Sequence, residues 1–263
     1  VITSQGQSQG QLKGQTAALA LTGVSHHFGQ AIALNDLSFT IHPGERVALL
    51  GPSGAGKSTL LNVLNGTLVP TSGQVNLLGR SLHHLSSKQL RQVQCRLGRV
   101  HQHHNLVANL AVIHNVNAGH LGRWSAPKAA LSLVWPQALE TAAAALAQVG
   151  LRDKLYARTD RLSGGEQQRV AIARMLVQDP LVVLADEPIA SVDPARAHDL
   201  MALLRDWCEQ AGKTLVVSLH DVGFAQRYCD RLIGLRQGRV VFDAPVAQVS
   251  DAMLQGLYRL VTP

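Results

Sequence analysis

Gly51-Pro52-Ser53-Gly54-Ala55-Gly56-Lys57-Ser58-Thr59 is the stretch on which the fold turns. A short apolar run, Arg46–Leu50, leads into it, and a helical pattern, Lys57–Leu64, leads out. The spacing is G-x-x-x-x-G-K-[ST], and each residue type has a physical reason. Glycines let the backbone wrap an anion with its N–H groups, and the N-terminus of the following helix adds a favourable dipole. Lys57 has the reach for β- and γ-phosphates, the Ser58 hydroxyl suits Mg²⁺, and Thr59 adds a phosphate contact. A plain Gly-rich turn is the alternative, and the eight-position pattern in its strand–loop–helix setting weighs against it. The stretch predicts binding of a nucleoside triphosphate without saying which enzyme does so.

Further along, Leu181–Pro188 reads "LVVLADEP", an apolar strand ending in two carboxylates. Ligands of α/β sheets bind beyond the C-terminal ends of the strands, where this pair stands. Asp186 is placed to hold Mg²⁺ through water, and Glu187 is a candidate to polarise an attacking water. A solvated acidic turn is the bland reading, which the phosphate loop makes less attractive. Leu162–Arg169, "LSGGEQQR", precedes a helix, so Ser163, Gly164 and Gly165 form a second anion-friendly helix start. One triphosphate does not obviously need both.

The 263 residues are enough for one large domain or two small ones, and 46% are hydrophobic. No apolar run approaches the ~20 residues needed to span a bilayer, so a soluble chain is expected. Val1–Gln15 is rich in Gln, Gly and Ser, lacks an apolar signal-peptide core and reads as a disordered tail. Cys95, Cys208 and Cys229 form no CxxC pair, which fits a reducing compartment, the cytoplasm. The net charge of +7 is compatible with nucleic acid or an anionic membrane surface and chooses neither.

Periodicity places strands at Ala18–Val24, Leu37–His42, Arg46–Leu50 and Gly73–Leu78. Helical patterns follow at Lys88–Cys95, Ala111–Ala118 and Gln137–Val149, while Asn65–Ser87 and Trp124–Trp135 hold loops and weaker patterns. From Gly165 the chain alternates: helix Glu166–Val177, strand Leu181–Ala185, helix Ala195–Gln210, strand Thr214–Leu219, helix Val222–Tyr228. Such alternation means a mostly parallel sheet covered by helices. Arg231–Leu235 and Arg239–Phe242 read as a hairpin turning at Gln237-Gly238. The expected organisation is a tail at 1–16 and a single domain at 17–263, an α/β core interrupted by a helical insert at approximately 86–162.

The motif set GPSGAGKST, Gln102, LSGGEQQR, LADEP, SVD (Ser191–Asp193) and His220 in SLHD resembles the ATP-binding cassette (ABC) ATPases over nearly all the chain after the tail. The resemblance implies a P-loop NTPase core with a mixed sheet, an N-terminal antiparallel β subdomain and a helical insert. It implies ATP and Mg²⁺, the metal held by Ser58, Gln102 and Asp186. In that family two cassettes dimerise head-to-tail, so Ser163, Gly164 and Gly165 would serve the partner copy's ATP, and Asp193 would lie at the seam. Glu187 resembles the general base, His220 the γ-phosphate contact that steadies the water and Glu187, and Gln102 the glutamine that senses the site. Phe28, in SHHFG, matches an aromatic that stacks on adenine, where many relatives carry Tyr. Glu166 stands where Gln is frequent in the signature, and ASVD replaces SALD; neither departure touches the hydrolytic residues.

One cassette without a membrane span resembles an importer subunit, which implies separate permease subunits, a periplasmic or extracellular substrate-binding protein and a peripheral place on the cytoplasmic face of the bacterial inner membrane. Asn117–Trp124 ("NAGHLGRW"), Leu184–Pro194 and Ser218–Pro245 resemble the phosphonate/phosphite importers, with Ala185 and Ile189-Ala190 in place of the usual importer text. Import of phosphonate, phosphite or a related oxyanion is therefore expected. Import of another small solute is the alternative. A soluble ATPase acting on nucleic acid fits less well, since no zinc module or coiled-coil insert is visible, and no nucleic-acid partner is expected.

Arg99–Val107, "RVHQHHNLV", brings three histidines around Gln102. Strand alternation would send His101 and His103 one way and Gln102 and His104 the other, and no Cys, Asp or Glu flanks them. The stretch reads as a hinge built on Gln102 rather than a metal site.

Overall fold

The structure, a computed structural model, describes residues 16–101, 105–190 and 192–259. Gln102, His103, His104, Ser191 and the tail at 1–15 lie outside the described residues, so the readings placed on them have no structural counterpart.

Two sheets organise the chain. Strands β1 (Leu19–Phe28), β2 (Ala31–Ile41), β4 (Ser72–Leu77) and β5 (Arg80–Ser81) form an antiparallel sheet in the order β2-β1-β4-β5. Strands β3 (Arg46–Leu50), β6 (Leu97–Val100), β7 (Val182–Asp186), β8 (Thr214–Ser218), β9 (Arg231–Arg236) and β10 (Arg239–Pro245) form a six-stranded sheet in the order β10-β9-β3-β8-β7-β6. It is parallel except for the β9–β10 hairpin, hence mixed, as expected.

The central strands are apolar throughout because both faces are covered. In β3, Ala48 and Leu50 face one apolar cluster while Val47 and Leu49 face the other. In β7, Val183 and Ala185 share the first cluster, and Val182 and Leu184 share the second. The period-2 alternation of a strand thus feeds two cores from one sheet. The second core is closed by helix α1 (Lys57–Leu64) and the antiparallel sheet. The first is closed by α6 (Gly164–Gln178), α7 (Pro194–Gln210) and α8 (Val222–Tyr228).

Between β5 and α6 lie α2 (Ser87–Gln94), β6, α3 (Val112–Asn117), α4 (Ala126–Val134) and α5 (Leu139–Gln148). Val112, Ile113 and Val116 of α3 and Ala142, Ala145 and Leu146 of α5 pack on α6. Residues 126–134 correct the loop reading. Pro127 sits in the first turn of α4, where a missing N–H costs nothing, and His114 of α3 bonds the Ser132 carbonyl at 3.1 Å. A last helix, α9 (Asp251–Tyr258), was not evident from the sequence and follows the hairpin.

Candidate nucleotide site

The loop 51–56 leaves the C-terminal end of β3 and turns into α1 with Gly51, Gly54 and Gly56 all at positive φ. Two of these positions have no room for a side chain. A Cβ on Gly51 would run into the Leu235 carbonyl, and one on Gly56 would stand 2.5 Å from the Ala33 carbonyl. A Cβ on Gly54 would meet nothing within 4 Å, so that glycine faces open space. Gly56 is the N-cap of α1 and offers no side-chain cap, which leaves the first N–H groups of the helix for an anion. The hairpin turn of β9 and β10 props the loop from below, through Gly238 N–H donating to the Ala55 carbonyl at 3.1 Å.

Lys57 is buried, and its ammonium folds back onto the carbonyls of Gly51 (2.7 Å) and Pro52 (3.1 Å). Burial pulls its pKa below the ordinary value, and the carboxylates of Glu187 and Asp186 partly restore it. The charge is therefore held at the loop in a partly desolvated setting.

Strand register assembles the other half. Asp186, last in β7, is paired with Ser218, last in β8. The fully buried Ser218 hydroxyl donates to Asp186 Oδ1 at 2.8 Å and accepts from Glu187 N–H at 2.9 Å. Ser58 donates to the same Asp186 oxygen at 3.1 Å, so an oxygen pair suited to a hard cation spans α1 and β7. Glu187 has φ +48°, a conformation that costs a non-glycine residue of order 1–3 kcal/mol and collects at active sites. His220, just past β8, sets Nε2 2.5 Å from Glu187 Oε1. A cavity of about 360 Å³ is lined by Ala33, Ser53, Gly54, Ala55, Gly56, Lys57, Ser58, Thr59, Glu187 and His220.

Of the residues singled out from sequence, Lys57, Ser58, Asp186, Glu187 and His220 are thus brought together. Ser163, Gly164, Gly165 and Asp193 do not line this cavity. Ser163 caps α6, exchanging bonds with Glu166: its N–H and hydroxyl donate to Glu166 Oε2 at 2.8 and 3.0 Å. Those bonds, the backbone one foremost, hold the Glu166 carboxyl below its ordinary pKa. Asp193 caps α7 by accepting from Arg196 N–H at 3.1 Å. Phe28 is 55% exposed and makes an edge contact with His26, so it is no core filler. Its partner across the hairpin is Ala31, and β2 continues from there to Ala33 at the cavity rim.

Two functional-looking residues escaped sequence reasoning. Ser218 ends an apolar run, and only the register of β7 against β8 reveals its link to Asp186. Gln168, fully inside α6, donates to the Pro188 carbonyl at 2.8 Å and ties the signature helix to the segment after Glu187.

A phosphate loop, an oxygen pair for a cation and a histidine–carboxylate pair facing one cavity belong to a P-loop nucleoside triphosphatase. The sequence profile of the ABC transporter family matches residues 34–190. The phosphonates import ATP-binding protein PhnC of Anaeromyxobacter dehalogenans is 48% identical over 241 residues, which are 92% of this chain and 48% of that protein. PhnC of Pseudomonas fluorescens is 45% identical over 233 residues, 89% of this chain and 88% of the relative. The chain thus spans about half the length of the first relative and most of the second. Among solved structures, the dimeric bacterial ABC transporter cassette MJ0796 is 31% identical with a TM-score of 0.78, covering 87% of this chain and 98% of that one. The same cassette in a dimeric post-hydrolysis state bound to ADP and Pi gives a TM-score of 0.74 at 30% identity, with the same coverage. The chain belongs to the ABC transporter family, and it is an ATP-binding cassette of that family.

Proposed function

We propose that this cassette hydrolyses ATP as the energy-coupling subunit of an importer for phosphonate, phosphite or a related oxyanion. The observation that carries the hydrolytic part is the cluster of Lys57, Ser58, Glu187 and His220 around one cavity, with Asp186 bonded to Ser58. Identity to PhnC proteins supports the substrate class.

ATP enters as substrate, its phosphates wrapped by residues 51–59. Lys57 exchanges the Gly51 and Pro52 carbonyls for phosphate oxygens, so its charge is already at the loop before binding. The Ser58 and Asp186 oxygens suit Mg²⁺, and Gln102 is its third proposed contact; the ion would neutralise charge on the β- and γ-phosphates. Glu187 takes the proton of the attacking water. His220, bonded to that carboxylate, keeps it aimed and faces the γ-phosphate. Phe28 offers its exposed ring to adenine.

Ser163, Gly164, Gly165 and Asp193 stand outside this cavity, which supports their service to a second copy arranged head-to-tail. In that arrangement the Ser163 hydroxyl leaves Glu166 for the partner's nucleotide. Closure of the dimer then depends on ATP, the differential affinity that a transport switch requires.

Among the described residues no helix is long and apolar enough to cross a membrane, so membrane association would come through permease subunits. Charge supports a face for them. Lys and Arg are scattered along the chain, but from Arg46 to Leu139 there is no Asp or Glu against nine Lys and Arg. This acid-free stretch includes α2, α3 and α4, and a groove of about 410 Å³ beside α2 is lined by Arg91, Cys95, Leu121, Gly122, Arg123 and Gln178 among others. A partner surface carrying carboxylates would fit it. A periplasmic or extracellular binding protein would deliver the substrate to the far side of the permease.

Reconstitution with the cognate permease and binding protein tests the proposal. Phosphonate or phosphite should stimulate ATP hydrolysis by the vesicles. Hydrolysis indifferent to both, yet stimulated by another solute, would overturn the substrate assignment.

A further inference from the structure

Helix α9 lies beyond the segment matched by the family profile, and nothing in the motif set draws attention to it. Its placement is nevertheless firm. Ser250 caps it by accepting from Met253 N–H at 3.3 Å, Arg236 of β9 donates to the Gly256 carbonyl at 2.7 Å, and Leu257 is fully buried against the sheet.

The next residue, Tyr258, is the one that reaches the site. Its hydroxyl lies 3.4 Å from the His220 carbonyl oxygen, to which it donates. One phenol oxygen therefore joins the C-terminal helix to the residue whose imidazole holds Glu187. The backbone just before His220 is fixed separately, by Leu219 N–H on the Leu49 carbonyl at 3.1 Å. On the other side Asp221 caps α8, accepting from Phe224 N–H at 3.0 Å, so the Tyr258 bond is the contact made to the His220 carbonyl itself.

Packing does not account for this tyrosine. Leu257 already supplies the apolar anchor, whereas Tyr258 is 38% exposed and its hydroxyl is turned to His220. The 3.4 Å separation is long for an O–H···O bond, whose usual length is ~2.7–2.8 Å. Bonds that position catalytic groups are commonly long before substrate draws the site together.

We infer that Tyr258 is a positioning residue of the ATPase site, bracing the backbone of His220 from the C-terminal helix. The inference rests on the hydrolytic roles proposed for Glu187 and His220. It adds that the geometry of the histidine is set partly from outside the family's motifs. Tyr258 does not line the cavity, so its effect falls on turnover rather than on nucleotide binding.

Tyr258→Phe tests this in the purified chain, because it keeps the ring and removes only the oxygen. Turnover should fall about three- to tenfold, the weight of one net hydrogen bond, with the KM for ATP within about twofold of the parent and an unchanged melting temperature. Tyr258→Ala should show the same loss of turnover, with lower stability in addition. In a His220→Ala background, Tyr258→Phe should cost nothing further, since the residue it braces is gone. Parental turnover in Tyr258→Phe would overturn the inference, as would turnover and melting temperature falling together in that variant. A parent that binds ATP without hydrolysing it would instead overturn the underlying reading.

Discussion

Ser218→Ala removes one oxygen from the floor of the site, and the structure says what it costs. The hydroxyl is fully buried, donates to Asp186 Oδ1 at 2.8 Å and accepts from Glu187 N–H at 2.9 Å. In the variant Glu187 N–H loses a buried acceptor, a penalty of ~1–3 kcal/mol, and Asp186 loses a donor to its carboxylate. Taken together, stability should drop by about 2–3 kcal/mol. With a urea slope of ~2–3 kcal/mol/M, the midpoint should move down by about 1 M, readable by circular dichroism. The second consequence is catalytic. Glu187 is held at φ +48° by this bond, and a backbone freed from it relaxes toward ordinary conformations. The carboxylate then leaves His220, and ATP hydrolysis should fall by at least tenfold, while binding of a fluorescent ATP analogue, which rests on the loop and Lys57, changes far less. A variant with the parent's urea midpoint and the parent's turnover would refute the reasoning that register-paired Ser218 organises the acidic end of β7.

Further outcomes follow from the same geometry. Phe28→Ala should weaken ATP analogue binding by about two- to tenfold, the worth of one aromatic stack, without lowering the melting temperature, because the ring is 55% exposed; Phe28→Tyr should bind as the parent does. Gly56→Ala should abolish nucleotide binding, measured by equilibrium titration, since its Cβ would stand 2.5 Å from the Ala33 carbonyl at φ +102°. Burial pushes the thiols of Cys208 and Cys229 up to about 12, so at pH 8 the native chain should react with a disulfide reagent at Cys95 alone, and at all three only after unfolding.

Where chemistry is written in local spacing, the sequence was a sufficient guide. The phosphate loop, α1 and β3 were placed at their observed bounds, because strand, glycine loop and helix follow one another without a gap. Asp186, Glu187 and His220 were legible for a similar reason, since each sits at the end of an apolar run that could only be an interior strand. Features created by pairing were not. Leu97–Val100 is four residues with a glycine inside, and it becomes β6 through its register with Val182–Ala185. Ser218 and Tyr258 look like strand filler and helix surface until β7 and α9 bring them to Asp186 and His220. Residues 126–134 form a helix that opens with Pro127 in its first turn, a start signal that the sequence carried and the reading of this stretch did not use.

On the proposed mechanism Glu187 is the base of an ATPase completed by a second copy. Glu187→Gln, an almost isosteric change, tests it most directly, with hydrolysis and oligomeric state measured on the same sample. ATP should still bind and should now drive a stable dimer on size exclusion, while hydrolysis falls by about 10²–10⁴-fold. A Glu187→Gln protein that hydrolyses ATP at the parental rate, or that stays monomeric in saturating ATP and Mg²⁺, would contradict the account.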